Sequence, residues 1–205
     1  MAEKFRNKYR VPSARLQNWD YGSNGAYFIT ICTKKMQHFF GEVVDKKMNL
    51  NSVGVLAEEY WIEILKQFPY VELDNFQIMP NHMHGILIID KSIVTAAAVE
   101  TRFIASNLND SDSSETRLIA SVPPEKDGIG GFAGENNPML VDNISRIIRW
   151  YKGRCTFEMR KKNPNFVWHP RFHDHIIRNS ESFERIQNYI EENPARWEED
   201  KFYKK

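Results

Sequence analysis

The sequence predicts a single domain of the α+β class, because strand-like segments and segments of helical periodicity alternate along its 205 residues. Residues 27–33 and 83–89 are rich in β-branched, aromatic and other apolar side chains, which is typical of buried strands. Residues 52–68 and 138–161 carry apolar residues every three or four positions, which is typical of amphipathic helices. A chain of this length is expected to bury one substantial core.

Shorter segments extend the same pattern. Three further strand-like stretches are bounded by turn residues. They cover residues 39–48, which are predicted to form a hairpin, and residues 71–77 and 166–177. Asn179 and Ser180 then offer capping side chains for a last helix. Because Pro194 disfavours helical geometry at the residue before it, this helix is predicted to end at Asn193, leaving that amide free to turn toward a site.

Two regions lack the periodicity of a packed element. Residues 91–137 are rich in Ser, Asn, Asp, Gly, Pro and Ala, which predicts a flexible insertion within the domain. Inside it, residues 100–106 nearly recur as 115–121, a short duplication that needs no function. Residues 1–25 are basic and rich in turn residues, and they are either an arm along a phosphate backbone or a solvated tail.

Positive charge is clustered rather than global. The formal net charge is +1, so composition by itself does not indicate nucleic-acid binding. The polar face of the helix predicted over 138–161 is nevertheless basic and is opposed only by Glu158. This face is either a nucleic-acid contact or an ordinary solvated surface. Its basic residues are Arg146, Arg149, Lys152, Arg154, Arg160, Lys161 and, just beyond, Lys162.

The cysteine count and the hydropathy bear on the compartment. Cys32 and Cys155 are too few for a disulfide framework or a four-cysteine zinc site, which favours a reducing cytoplasm. The first residues resemble no signal peptide, and no run approaches the roughly 18 apolar residues of a membrane span. We therefore expect a soluble cytoplasmic protein with no membrane partner.

His82 and His84 form the most informative pair in the chain. They are one residue apart in a strand-like segment, so both must project from the same face of the sheet. Imidazole nitrogens suit a borderline divalent cation, and such an ion could polarise a phosphoryl oxygen. The alternative is a pair of satisfied polar residues that bind no metal.

Tyr189 is the candidate nucleophile. It stands four residues before Asn193, so both lie on one face of the last helix, at the edge of the apolar stripe of Phe183, Ile186 and Ile190. Phenolate attack on a phosphodiester gives a covalent phosphotyrosine, which stores the energy of the broken bond. The alternative, favoured by spacing alone, is a core tyrosine with its hydroxyl at the surface.

Two groups of residues resemble motifs of the REP-associated tyrosine transposases, a branch of the single-tyrosine HUH endonucleases. The first is similar to that family's metal-binding turn and strand, and it is Met79-Pro80-Asn81-His82-Met83-His84. The second resembles its Trp-x-x-Arg-Phe, acidic-His-x-Ile-Arg and Tyr-Ile-x-x-Asn-Pro run in order and spacing. It comprises Trp168-His169-Pro170-Arg171-Phe172-His173-Asp174-His175-Ile176-Ile177-Arg178-Asn179 and Asn188-Tyr189-Ile190-Glu191-Glu192-Asn193-Pro194.

The resemblance implies a ferredoxin-like (RRM-like) two-layer sandwich, with the histidines on a central antiparallel strand and helices packed on the sheet. It implies that His82 and His84 bind Mg²⁺ or Mn²⁺, that Tyr189 attacks a DNA phosphate, and that Asn193 completes or supports the metal shell. Related insertion-sequence transposases have Gln at the position of Asn193. The implied partner is single-stranded or hairpin DNA, and the implied assembly is a monomer or a homodimer that swaps the tyrosine helix. Candidate DNA contacts are Arg146, Arg149, Lys152, Arg154, Arg171 and Arg178.

Several residues compete with these assignments. His173 and His175 form a second His-x-His, but the residue between them is acidic. Tyr151 is the rival nucleophile, although it belongs to the apolar stripe of its helix and Cys155 occupies the position four residues later. Three tryptophans are candidates either for base stacking or for core packing, and they are Trp150, Trp168 and Trp197.

The function that we expect is therefore a metal-dependent endonuclease and strand transferase acting on single-stranded DNA in transposition or in mobilising repeated hairpin elements. A first alternative is a catalytically idle protein that binds a DNA or RNA hairpin through basic and aromatic residues. A second alternative is a metal-dependent hydrolase, which would cut with water and leave no protein attached.

Overall fold

The computed structural model describes residues 19–93 and 141–203. Its strands are β1 Gly25–Cys32, β2 Gly41–Val44, β3 Lys47–Leu50, β4 Val71–Ile78, β5 His82–Ile89 and β6 His173–Ile177. Its helices are α1 Ser52–Gln67, α2 Ile144–Lys162 and α3 Ser180–Glu192, with 3₁₀ turns at Lys34–Met36 and Trp197–Glu199. Residues 1–18, 94–140 and 204–205 lie outside the described ranges, as do most of the predicted basic arm and most of the predicted insertion with its duplication. The single-domain organisation stays a prediction.

Four strands form one antiparallel sheet in the order β4-β5-β1-β6, and β2 and β3 pair separately as the predicted hairpin. The chain enters this sheet as β1, α1, β4, β5, α2 and β6, so the two central strands are the first and the third of the four. This is the ferredoxin-like arrangement, and it confirms the predicted α+β sandwich with a central antiparallel sheet.

One face of the sheet is covered by α1 and α2 and is mostly apolar, with Asp174 at its β6 edge. Trp61 of α1 is fully buried there and lies directly against β5. A Cβ at Gly85 would lie 2.6 Å from the Trp61 Cζ2 atom, so only glycine lets the indole approach this strand. Tyr151 of α2 packs edge-on against the indole and donates a hydrogen bond of 3.0 Å to the Ala57 carbonyl. Tyr151 is thus a core residue, as its place in the apolar stripe indicated.

The opposite face is divided into an apolar half and a polar half. Ile86, Ile177 and Ile190 form a small buried cluster where α3 packs on the sheet, with Phe183 and Ile186 half-buried beside them. At the other end of β5 and β1, past these isoleucines, the same face carries His82, His84 and Thr30. The fold therefore leaves the histidine end of this face for polar groups.

Two helix starts follow from asparagine caps. The Asn143 side chain accepts a hydrogen bond from the Arg146 amide, and α2 accordingly begins at Ile144, later than the sequence pattern predicted. The Asn179 side chain accepts from the Ser182 amide, which confirms the predicted cap of α3.

α3 ends at Glu192 with Asn193 as its C-cap, which confirms the predicted end of the helix. Asn193 nevertheless has helical dihedrals (φ −57°, ψ −42°), so the expectation that Pro194 would disfavour them there is wrong. The chain continues into another turn there, in which the Arg196 amide donates to the Glu192 carbonyl. β6 begins at His173 rather than near 166, because Pro170 has no amide hydrogen and interrupts the pairing that Trp168 makes with the residue after β1.

Of the helices in the described ranges, none combines the length and the apolar character that crossing a bilayer requires.

Candidate functional site

The two histidines occupy alternate positions of β5 and share the face opposite α1 and α2. His82 pairs with Cys32 and His84 with Thr30 across the β1–β5 ladder. Their side chains are almost completely buried, and their ring centroids are 4.6 Å apart. The strand periodicity thus brings both imidazoles to one spot, as the sequence predicted.

The environment of His82 determines which of its nitrogens is free. The Asn81 Nδ2 donates to the main-chain carbonyls of Met36 and Phe202, so its Oδ1 is the atom that faces His82 Nδ1 at 2.8 Å. Because a carboxamide oxygen only accepts, Nδ1 carries the proton and Nε2 keeps a lone pair. That Nε2 is buried and has no hydrogen-bond partner among the described residues. Its lone pair can therefore bind a metal ion.

His84 is held from the side of β1. Its Nδ1 lies 2.9 Å from the Thr30 hydroxyl, and its ring stacks on Phe28 with centroids 5.2 Å apart. Burial lowers the pKa of both His82 and His84 well below the ordinary value, so both rings are neutral at pH 7. Neutral imidazole is the form that binds a metal.

Tyr189 reaches the histidines from the last turn of α3. Its hydroxyl oxygen lies 3.2 Å from His84 Nε2 and 3.3 Å from Asp200 Oδ2. The side chain is 39% exposed, so the phenol is accessible from solvent. Burial of the phenol, and then the nearby Asp200 carboxylate, raise the pKa of Tyr189 to about 12. The hydroxyl thus lies between an imidazole and a carboxylate, whereas the alternative interpretation placed it simply at the surface of the core.

Asp200 is the site residue that the sequence analysis missed. Its Oδ2 accepts hydrogen bonds from Tyr189 and from Asn193 Nδ2, the latter at 2.7 Å, and its Oδ1 accepts from the Phe202 amide. One ligand atom each of His82, His84 and Asp200 lie within 4.8 Å of one another. In the sequence Asp200 only ends an acidic run after a 3₁₀ turn, and no spacing relates it to the histidines.

Asn193 lies in the same cluster but contacts the carboxylate rather than an imidazole. It is almost fully buried, and its Oδ1 has no hydrogen-bond partner within the described ranges. That oxygen is a further potential ligand atom, so the predicted support of the metal shell by Asn193 stays a prediction.

The donor set fits a divalent cation. Two neutral imidazoles and one carboxylate are a mixed nitrogen and oxygen set, which Mn²⁺ and related ions accept. The buried, unpartnered His82 Nε2 supports this interpretation, because an orphaned buried acceptor costs free energy unless a ligand satisfies it.

The chain after α3 folds back over the histidines. The Phe202 ring lies 4.6 Å from that of His82, and Trp197 packs 5.8 Å from the same imidazole. Trp197 is buried, and its contacts with His82 and Tyr203 are packing contacts. Trp168 is likewise buried, and Trp150 packs edge-on against Phe68, so these indoles serve the core.

Three of the six predicted DNA contacts are engaged by neighbouring groups. Arg146 forms an ion pair with Asp142, and Arg154 lies over the Tyr60 ring and 3.7 Å from Glu158. The Lys152 ammonium donates to the His169 carbonyl, and burial lowers the pKa of Lys152 to about 8.

The other three predicted contacts are less engaged by neighbouring side chains. Arg149 lines an open groove between α2 and the segment before β6. Arg171 and Arg178 are exposed near the two ends of β6. His173 and His175 are also exposed, and neither belongs to the one cluster of metal-binding residue types found within residues 19–93 and 141–203.

Sequence comparison establishes the family. The chain is 33% identical over 192 residues to an uncharacterized protein of Haemophilus influenzae, and the match covers 93% of this chain and 92% of that protein. The two proteins therefore belong to one family. A search against protein-family models finds no match.

Structural comparison confirms the fold implied by the motif resemblance. The chain is similar to a solved structure of a REP-associated tyrosine transposase bound to a REP hairpin, with a TM-score of 0.51. The match covers 91% of this chain and 74% of that chain at 18% sequence identity. At this identity the similarity establishes the architecture, and what the transposase binds is a property of that protein.

Proposed function

We propose that this protein is a transposase-type enzyme that cleaves single-stranded DNA and holds the 5′ end as a phosphotyrosine. The observation that carries the proposal is the approach of the Tyr189 hydroxyl to within 3.2 Å of His84 Nε2, beside a cluster fit for a cation. A nucleophile and an electrophilic centre must meet in this way for attack on a phosphodiester.

The transesterification uses Tyr189 as nucleophile. The phenolic oxygen forms a bond to phosphorus while the bond from phosphorus to the 3′ oxygen breaks, and the electron pair leaves with that oxygen, which takes up a proton as a 3′ hydroxyl. The phenol proton leaves to solvent, to which Tyr189 is 39% exposed, and the 3′ oxygen takes its proton from water. Asp200 Oδ2, which lies 3.3 Å away, accepts a hydrogen bond from the phenol and orients it. Because the number of phosphoester bonds is conserved, the 5′ end can later be rejoined to another strand.

The cation-binding residues in this proposal are His82, His84 and Asp200, supported by Asn193. A bound Mg²⁺ or Mn²⁺ would supply positive charge that polarises the phosphoryl oxygen and stabilises the charge developing on the phosphate. The protein's own contribution is to hold neutral imidazoles, a carboxylate and the phenol in one pocket before substrate arrives.

The substrate in this proposal is single-stranded DNA beside a hairpin, in transposition or in mobilising repeated hairpin elements. The motif resemblance and the fold shared with a hairpin-bound transposase support this choice. Arg149, Arg171 and Arg178 are exposed, and we favour them as the phosphate contacts because Arg146 and Arg154 form ion pairs. The two cysteines are free thiols, which accords with action in the cytoplasm.

The deciding experiment detects a covalent DNA adduct. The wild-type chain is incubated with Mn²⁺ and a 5′-biotinylated and a 3′-labelled pool of hairpin oligonucleotides with randomised single-stranded flanks, then denatured and electrophoresed. We expect a denaturation-resistant species carrying the 3′ label, and its loss by a factor of about 10³ or more in Tyr189→Phe. Tyr60→Phe, a change at a partly exposed tyrosine of α1, is the matched control and should retain the adduct.

Other outcomes of that gel reject the proposal. Binding of the hairpin without any adduct would indicate the idle binding protein, and cut DNA without attached protein would indicate a hydrolase. An adduct that persists in Tyr189→Phe would assign the nucleophile to another residue.

A further inference from the structure

Two depressions of opposite charge flank the histidine pair. Asp200 lines one of them and the next two residues, Lys201 and Phe202, line the other. The first runs along the outer side of α3 and is mostly acidic, with Arg185 and Arg196 as its cations. Its acidic residues are Glu181, Glu184, Glu192, Glu199 and Asp200. A phosphate backbone is repelled from that side of Tyr189.

The second depression, which we call the basic pocket, lies over β1 and β6 and has a volume of about 690 Å³. Four basic side chains line this pocket and are exposed, and Asp174 is the one acidic residue of the lining. The basic residues are His169, Arg171, His173 and Lys201. Phe172 and Phe202 are half-buried in its walls, so it combines positive charge with two aromatic rings. Proteins bind an unpaired nucleotide with this combination, through its phosphate and its base.

The basic pocket adjoins the candidate cation site, although the histidines themselves are buried and do not line it. Thr30 lines the pocket and also lies 2.9 Å from His84 Nδ1. Across β1 the next residue in register with Thr30 is His173, so a row runs from His84 through Thr30 to His173 on one face of the sheet. Phe202 lines the pocket and packs on His82. A nucleotide in the pocket would therefore direct its attached phosphate toward the imidazoles, from which only Thr30 and Phe202 separate the pocket.

The position of Tyr189 indicates on which side of the scissile phosphate the nucleotide in the basic pocket lies. The phenol comes from the C-terminal half of α3, where Gln187 and Glu191 bond to residues of β4 and Tyr189 meets His84 of β5, whereas the pocket lies over β1 and β6. Attack at phosphorus runs in line, with the leaving oxygen opposite the nucleophile. The leaving 3′ oxygen therefore points toward the basic pocket.

From this geometry we propose that the basic pocket binds the deoxynucleotide on the 5′ side of the scissile phosphate, the one that departs with the 3′ hydroxyl. The inference rests on the proposed function, because it takes Tyr189 as nucleophile. Phe172 and Phe202 stack on the base, and Arg171 and Lys201 contact the backbone. The pocket thus selects the base next to the cleavage point.

Mononucleotide binding tests this assignment without any cleavage. The full chain is labelled with ¹³C-methyl methionine, and the four deoxynucleoside 3′-monophosphates are titrated against their 5′ isomers and inorganic phosphate. Met36 lines the pocket and should shift on binding, whereas Met159, buried in the core, should not. From the Met36 shift we expect the 3′ isomers to bind the pocket about tenfold more tightly than the 5′ isomers. Phosphate alone should cause no shift at Met36, because stacking of the base supplies the affinity.

Two variants and a control sharpen the result. Arg171→Ala and Lys201→Ala remove exposed side chains, so neither should unfold the chain, and each should weaken binding of the 3′ isomers roughly fivefold to tenfold. Lys66→Ala removes an exposed cation at the end of α1 and should leave binding unchanged.

The failures of the two proposals are distinguishable. Equal affinity for 3′ and 5′ isomers, a response to phosphate alone, or full binding by both variants would overturn the pocket assignment, even with a covalent adduct at Tyr189. Selective binding of the 3′ isomers with no adduct in the gel would leave the pocket as a nucleotide site and reject the transesterification.

Discussion

The two faces of the sheet differ in what they bury. The face under α1 and α2 carries a continuous apolar core, in which Trp61 and Tyr151 are fully buried. The opposite face is apolar only under α3, and its other half buries His82 and His84. Residues of β5 alternate between the two, so a single strand contributes Met83 and Leu87 to the core and both imidazoles to the site.

The apolar face thus contributes mainly to the stability of the fold, and the polar half of the other face carries the candidate functional site. Burial of apolar side chains on the helix-covered face stabilises the fold, whereas burial of unpaired polar atoms on the other face opposes it. A protein retains such polar groups where a ligand compensates them. Variants on the first face should therefore alter the free energy of unfolding, and variants on the second should alter ligand binding.

The largest effect on stability is expected for Trp61→Ala. It removes a fully buried indole that packs against Gly85 and Tyr151, so it should lower the free energy of unfolding by about 3–5 kcal/mol. Urea denaturation followed by circular dichroism measures this loss. Ile62→Ala, at an exposed neighbouring position, should change stability by about 0.5 kcal/mol or less. A loss below about 1 kcal/mol for Trp61→Ala would contradict the division between the faces.

The next effect concerns the cation. Mn²⁺ at a hundred times its dissociation constant should stabilise the wild-type chain by about 2.7 kcal/mol, seen as an increase in the unfolding midpoint. His82→Ala and Asp200→Asn should lose most of that increase, because each removes a proposed ligand atom. His175→Ala changes an exposed imidazole of β6 and should keep it. An undiminished response in His82→Ala would exclude this residue as a ligand.

The smallest effect is expected for Tyr151→Phe. It removes one buried hydrogen bond to the Ala57 carbonyl, so stability should fall by about 0.5–1.5 kcal/mol while adduct formation is unchanged. Tyr189→Phe should show the reverse, with stability nearly unchanged and the adduct lost. The pair of tyrosine variants thus compares the two faces directly, and loss of the adduct in Tyr151→Phe alone would invert our assignment.

The sequence predicted those features that depend on local periodicity. The shared face of His82 and His84 follows from the alternation of strand side chains, and the core position of Tyr151 follows from the apolar stripe of α2. The cap at Asn179 was also readable, since a cap depends on a few adjacent residues. The start of β6 was not, because the apolar residues before Pro170 resemble a strand whose pairing the proline interrupts.

By itself, therefore, the sequence determined the elements, their buried faces and the pairing of two imidazoles on one strand. Only the tertiary structure decided that Asp200 joins them and that Arg171, His173 and Lys201 share one pocket. The physical reason is that periodicity acts over a few residues of one element. Contact between a strand at 82–84 and a turn at residue 200 arises only when α3 docks on the sheet and carries the following chain back across it.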